Sequence, residues 1–269
     1  MKEITSRDNQ WIKLACAVKR KKERTAQRRV FLEGRRLVTD AVENEIRDGI
    51  CFVSPKGREQ ADFDDLFARG VALGWDFFSV TASVYDKLKD TQSPQGIAAV
   101  VPFFTHTLQS LEKDNTARSL VYLQAIQDPG NLGTIIRTAA ATDCGAVILS
   151  PGSVDVYNDK TLRSAMGAIF KVPLIENIDE EEICAFVLRQ GRVLFGTSPQ
   201  GRVSFAAADY KRPAVLAFGN EGQGLTAAFA QCCDELLSIP MRSNTESLNL
   251  ATAVGLVLYR AWEANGFAR

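Results

Sequence analysis

From Leu120 to Ile239 the chain repeats one pattern: a short, unbroken apolar run, a polar turn, then a helix-like stretch. The runs are Leu120–Ile126, Ala146–Leu149, Val172–Ile175, Val193–Thr197, Ala214–Phe218 and Glu235–Ile239. Helical periodicity occupies 131–143, 158–169, 179–190 and 225–232, and a last helix is expected over about 247–263. Runs that are apolar throughout belong to strands buried on both faces, the habit of a parallel sheet covered by helices on each side. The fold class is therefore α/β. Ligands of such sheets bind beyond the carboxyl ends of the strands, so the strand-to-loop junctions are where function is sought.

Three of those junctions carry unusual residues. The first reads Gln127-Asp128-Pro129-Gly130-Asn131-Leu132-Gly133 and continues into Thr134-Ile135-Ile136-Arg137. Asp-Pro-Gly is a turn, and Asn131 is a good N-cap for the helix it opens. Leu132, Ile135, Ile136, Ala139 and Ala140 share an apolar face; Thr134, Arg137 and Thr138 share another, so Arg137 is expected on the ligand side. A capping Asn and an ordinary surface Arg would explain the same segment. The second junction, Phe218-Gly219-Asn220-Glu221-Gly222-Gln223-Gly224-Leu225, sets three glycines around one acid, read as buried. Glycine permits positive φ and close backbone approach to a ligand, although a tight turn uses it for the same reason. The third runs from Ile239-Pro240-Met241 through a polar loop to Glu246-Ser247-Leu248-Asn249-Leu250. Ser247 reads as an N-cap, and Leu248, Ala251, Val254 or Gly255, Leu258 and Trp262 as the apolar face of the final helix. Asn249 is a mediocre helix former and is expected to reach back to a neighbouring loop.

Composition narrows the chemistry. His106 is the single histidine, so a Ser-His-Asp triad would have to use it and a His-rich metal site is impossible. The six cysteines, at 16, 51, 144, 184, 232 and 233, form no CxxC pair and read as buried, reduced thiols. The glycine spacing is GxxGxG rather than the GxGxxG dinucleotide fingerprint, and no GxxxxGK[ST] loop exists, which disfavours a nicotinamide oxidoreductase. The longest apolar runs, Gly96–Phe104 and Ala253–Tyr259, fall far short of the roughly 20 residues that span a bilayer. With no apolar leader after the opening Met-Lys-Glu, a cytoplasmic protein is expected.

Before residue 105 the pattern changes. Helix-like stretches (about 8–20, 34–45, 59–69 and 81–89) alternate with Val30–Leu32, Gly49–Val53, Asp76–Val80 and Gly96–Phe104, describing a small α/β domain over 1–104. Residues 105–117 read as a linker or a surface helix, and 118–269 as the larger domain. Charge is unevenly spread as well. Residues 1–36 hold 12 Lys/Arg against 4 Asp/Glu, whereas the whole chain holds 32 of each, leaving +8 at the N-terminal end and −8 elsewhere. Seven of the eleven residues in Lys19–Arg29 are basic, an electrostatic footprint for a polyanion, or else simply a solvated helix face.

Together, and in this order, the three junctions resemble the three motifs of the SpoU/TrmH family of RNA ribose 2′-O-methyltransferases, in the SPOUT superfamily. The resemblance covers roughly residues 118–265; the opening Ile4-Thr-Ser-Arg-Asp-Asn and Phe31-Leu-Glu-Gly-Arg-Arg-Leu37 are similar to the family's auxiliary RNA-binding domain. The resemblance implies a deep trefoil knot in the C-terminal part of a parallel sheet, and S-adenosylmethionine held in the knot loops largely by backbone groups. Carried over residue by residue, it implies cofactor contacts from Thr197, Gly219, Ile239, Met241 and Leu248. It also implies a reaction centre of Arg137, Asn131, Glu221, Ser247 and Asn249, with Arg137 activating or orienting the hydroxyl and Glu221 fixing the glycine loop or pairing with an arginine. No metal is implied, and a homodimer with sites near the subunit interface is.

A ribose 2′-hydroxyl is a weak nucleophile near neutral pH, so such a site must align it with an already activated methyl group and help its proton leave. RNA is the implied substrate, because DNA lacks that hydroxyl. An auxiliary domain inclines the reading to rRNA over tRNA; an RNA-binding assembly factor without activity is the alternative of a different class.

Overall fold

The computed structural model describes residues 1–104, 106–113, 118–242 and 247–267, and the chain divides into two compact units, Met1–Phe104 and Thr105–Arg269. The first unit is built on a mixed sheet in the order β1-β4-β3-β5-β2, with β1 at Lys2–Ile4, β2 at Arg29–Glu33, β3 at Ile50–Val53, β4 at Asp76–Val80 and β5 at Ile97–Pro102. β4 pairs parallel with β1 and β3, and β5 pairs antiparallel with β3 and β2. Its helices are α1 (Gln10–Ala17), α2 (Lys21–Gln27), α3 (Arg35–Glu43), α4 (Pro55–Arg58), α5 (Phe63–Ala72) and α6 (Ala82–Leu88). Ile12, Phe52, Phe78 and Leu88 centre one core cluster.

Two of these elements have no sequence signal. β1 is three residues long with only Ile4 buried, and α2 (KKERTAQ) lacks an apolar stripe. What anchors α2 is its own Arg24. That side chain is buried and donates to Val18 O at 3.0 Å and Lys19 O at 2.8 Å, satisfying carbonyls at the end of α1. One cation of the basic run is therefore structural, while Arg20, Lys21, Lys22 and Arg28 are exposed.

The second unit carries an all-parallel sheet in the order β10-β12-β9-β11-β6-β7-β8. Its elements are α7 (Leu108–Lys113), β6 (Leu120–Leu123), α8 (Pro129–Ala141), β7 (Ala146–Leu149), α9 (Asp159–Ala165), β8 (Leu174–Ile175), α10 (Glu180–Gln190), β9 (Val193–Thr197), β10 (Val203–Ser204), β11 (Ala214–Phe218), α11 (Ala227–Cys232), β12 (Glu235–Ser238) and α12 (Leu250–Ala264). Every residue of β6, β7 and β11 is buried, as strands covered on both faces must be. The stretch read as a linker contains α7, whose Leu108 and Leu111 are buried in this unit's core; Thr105 and residues 114–117 lie outside the described residues.

Strand β6 stops at Leu123 rather than Ile126, because Ala125 adopts φ +50° and leaves extended geometry. Helix α8 meets α9 at Gly133, where a Cβ would lie 2.4 Å from Ser164 Cβ and 2.8 Å from Thr161 O. A glycine there lets the two helices close. The path on which the resemblance places a knot includes residues 243–246, which lie outside the described residues, as does Glu246 of the third motif. No described helix is long and apolar enough to cross a membrane.

Candidate functional site

Helix α8 begins one turn earlier than its pattern indicates, and this corrects the role of Asn131. Asp128 is the N-cap: its carboxylate accepts from Asn131 N at 2.9 Å, with Pro129 in the first helical turn. Hydrogen bonds from Asn131 and Gly130 and the nearby Lys160 ammonium, 3.4 Å away, hold the Asp128 carboxyl below its usual range despite some desolvation. The Asn131 side chain is thereby released from capping.

The glycine loop between β11 and α11 closes on itself. Asn220 and Gly224 exchange backbone hydrogen bonds of 3.1 and 2.9 Å, and Asn220 Oδ1 accepts from Gly222 N and Gln223 N. Gly224 supplies the positive φ of +69° that the turn requires. Gly219 is needed for space instead. A Cβ there would lie 1.9 Å from the Gly224 carbonyl carbon and 2.1 Å from Leu225 N, both backbone atoms that no rotamer change moves aside.

Segment 124–131 and this loop are stitched together. Asn220 Nδ2 donates to Ala125 O at 2.8 Å. The Glu221 carboxylate accepts from Gln127 N and Asp128 N, each at 3.2 Å, and from Asn131 Nδ2 at 3.3 Å. Burial raises the Glu221 pKa, but hydrogen bonds from its own backbone and from Asp128, Gln127 and Asn131 outweigh it and leave the carboxyl below its ordinary value. Glu221 is exposed rather than buried, and it forms no ion pair with an arginine among the described residues.

Asn249, not Ser247, caps α12. Its Oδ1 accepts from Thr252 N at 3.2 Å, and its Nδ2 donates to Asn131 Oδ1 at 2.9 Å, the reach to a neighbouring loop that its poor helix propensity indicates. A chain of side chains, Glu221–Asn131–Asn249, thus joins all three junctions. Leu248 precedes the helix and does not belong to its apolar face, which is Ala251, Val254, Val257, Leu258 and Ala261.

These junctions wall a cleft of about 700 Å³ at the carboxyl ends of β9, β11 and β12. Asn131, Thr197, Gly219, Glu221, Ile239, Met241, Ser247, Leu248 and Asn249 all line it. Thr197 is held there by its hydroxyl, which donates to Ala217 O at 3.0 Å. Arg137 does not line it. It is exposed, two turns along α8 from Asn131, and makes no hydrogen bond or ion pair with a described residue. Its Cα–Cβ bond leans toward the start of α8, where the cleft opens, the side on which helical periodicity sets it.

Sequence reasoning missed Asn220, which braces the loop from within, and the Ser198–Gln200 turn, which forms the wall beyond β9. The turn had a signal in Ser-Pro-Gln-Gly directly after an apolar run. The cysteines need correction as well. Cys51 and Cys144 are buried, Cys16, Cys184 and Cys233 are half-buried, and Cys232 is exposed; all six are free.

Comparison with known proteins agrees with this architecture. Residues 118–259 match the model of the SpoU rRNA Methylase family, and residues 9–99 match an MRM3-like substrate binding domain. The chain is 33% identical over 264 residues to the 23S rRNA (guanosine(2553)-2′-O)-methyltransferase RlmP of Bacillus subtilis strain 168, covering 96% of this chain and 98% of that one. It superimposes with a TM-score of 0.85 on the AdoMet-bound rRNA methyltransferase of Sinorhizobium meliloti, at 30% identity and with 97% of each chain covered. The SpoU methyltransferase AviRb of Streptomyces viridochromogenes, in complex with AdoMet, gives a TM-score of 0.84 at 26% identity over 97% of this chain and 100% of that one. The cleft, the three junctions that wall it and these matches have one reading: the chain belongs to the SpoU rRNA methylase family.

Proposed function

We propose that this protein transfers a methyl group from S-adenosylmethionine to a ribose 2′-hydroxyl of rRNA. The observation that carries the reading is the convergence of the three motif junctions on one cleft, tied by Glu221, Asn131 and Asn249. The cleft fits the cofactor. Its volume lies within the range of about 300–1,000 Å³ usual for small-molecule sites. Phe218, Leu225, Ile239 and Leu248 give it apolar surface, and the missing Cβ at Gly219 exposes loop backbone. Its one charged lining residue among those described is an acid, Glu221, which suits a sulfonium cation better than a dinucleotide pyrophosphate. Thr197, Gly219, Ile239, Met241 and Leu248 would hold the cofactor, which when bound supplies an activated methyl group.

The remaining work falls to the chain's own side chains. Glu221 and Asn249 use both ends of the Asn131 amide and so fix the floor of the site at the start of α8. Ser247 is exposed at the cleft edge, with a hydroxyl that no described residue engages and that can orient a ribose hydroxyl. Arg137 is assigned to the phosphate beside the target ribose. A guanidinium is a poor base but a rigid, five-donor clamp for phosphate oxygens. Its place off the wall of its own cleft favours a homodimer in which a second copy completes the site. The glycine loop at residues 219–225 is assigned to the knot of this superfamily. Residues 1–104 are assigned to RNA capture in the cytoplasm, with the exposed Arg20, Lys21, Lys22 and Arg28 meeting backbone phosphates.

Incubation with methyl-labelled S-adenosylmethionine and separated bacterial RNA fractions tests the reading. Label is expected in rRNA. Label confined to tRNA would redirect the substrate, and cofactor binding without label in free or particle-bound RNA would make the protein an assembly factor.

A further inference from the structure

We propose that Gln124 is a positioning residue for the methyl donor: it fixes both ends of the 219–225 loop, so the donor's cradle is set before the donor arrives. The inference rests on the reading of that loop as part of the donor site. Gln124 follows directly on β6 and is 6% exposed. Its backbone N–H donates to Phe218 O at 2.9 Å, where the loop begins. Its side-chain Oε1 accepts from Thr226 N at 2.9 Å, one residue past Leu225, where the loop ends. Two hydrogen bonds from one residue therefore span the loop.

The other end of the same side chain is also committed. Gln124 Nε2 donates to the Glu180 carboxylate at the start of α10 and, at 3.4 Å, to Thr226 Oγ1. The Thr226 hydroxyl donates to Glu180 Oε1 at 2.9 Å and accepts from Phe229 N at 3.2 Å, capping α11. Position 124 must offer an acceptor to an amide and a donor to a carboxylate at once, which a side-chain amide does and a carboxylate or an alkyl group does not. Neither Gln124 nor Glu180 lines the cleft, so both act on the donor only through the loop. A satisfied buried network rigidifies what it touches, and a loop already ordered loses less freedom on binding.

The test uses the full-length chain with Gln124→Leu, Gln124→Glu, Glu180→Gln and the double variant Gln124→Glu/Glu180→Gln. Two quantities are read: ligand-free hydrogen exchange at Gly222–Gly224, and the calorimetric Kd for S-adenosylmethionine. Gln124→Leu and Gln124→Glu are expected to speed loop exchange and weaken binding by roughly tenfold each, with exchange in β7 and α12 unchanged. Exchanging donor and acceptor in the double variant is expected to return both to within about twofold of wild type, which simple loss of packing would not do. Unchanged loop exchange in the single variants, or no recovery in the double, overturns the proposal. An unchanged Kd in Gln124→Leu, with wild type binding normally, overturns it alone; failure of wild type to bind overturns it together with the donor reading beneath it.

Discussion

Glu221 takes hydrogen bonds from Gln127 N, Asp128 N and Asn131 Nδ2, so a single carboxylate fastens the glycine loop to the start of α8. That work depends on its charge. With its pKa held below the ordinary 4.5, its contribution to stability is complete above that value and lost as pH falls through the depressed one. The Tm difference between wild type and Glu221→Gln is therefore expected to hold from neutral pH down to about 4.5 and to shrink on further acidification. A difference that stays constant down to about pH 3 would remove the carboxylate from this role. Arg137 makes the opposite case, an exposed side chain without a partner among the described residues. Arg137→Ala is expected to lower kcat by about a hundredfold or more while leaving the S-adenosylmethionine Kd within about twofold. Equal turnover would take Arg137 out of the mechanism.

At the scale of elements, α12 shows how a cap and a site share one residue. Asn249→Ala removes both the Thr252 cap and the Asn131 contact, and is expected to cost about 1 kcal/mol of stability. Asn249→Asp keeps the capping acceptor but loses the donor to Asn131. Asn131 cannot turn its amide to serve that acid without deserting Glu221. Denaturant unfolding of the Asp variant near wild type, with methyl transfer reduced, is the expected pair of results; equal loss of both would make Asn249 only a cap. The same element marks what sequence could and could not carry. Strands β7, β9 and β11 were legible to the residue because unbroken apolar runs have no other use at that length. Helix starts at α8 and α12 were displaced because several neighbouring polar side chains can cap, and only tertiary contacts choose Asp128 over Asn131 and Asn249 over Ser247. The three short motifs located the cleft, yet periodicity gave Arg137 a face without saying what that face meets. Strand order, with β11 set between β6 and β9, left no trace in the pattern at all.

Across the whole molecule, positive charge gathers at one end of the first unit. The first 36 residues carry +8 and the remainder −8, and the cations of α2 and its flanks are largely on the surface. A chain cut before Thr105 keeps Leu108 and Leu111 in the core of the second unit. Such a fragment is expected to bind S-adenosylmethionine like the full chain but rRNA more weakly. Its slope of log affinity against log salt should be shallower by on the order of 3, the share of four phosphate contacts. Equal slopes would mean that RNA is held elsewhere.

Where the methyl group goes decides whether this protein modifies ribose. A ribose 2′-O-methyl group removes the hydroxyl that alkaline cleavage of RNA requires, whereas a methylated base leaves it in place. rRNA labelled by this protein from S-adenosylmethionine, hydrolysed completely in alkali and separated by size, is therefore expected to carry its label in alkali-resistant dinucleotides. Label recovered in mononucleotides would place the methyl on a base and contradict the account.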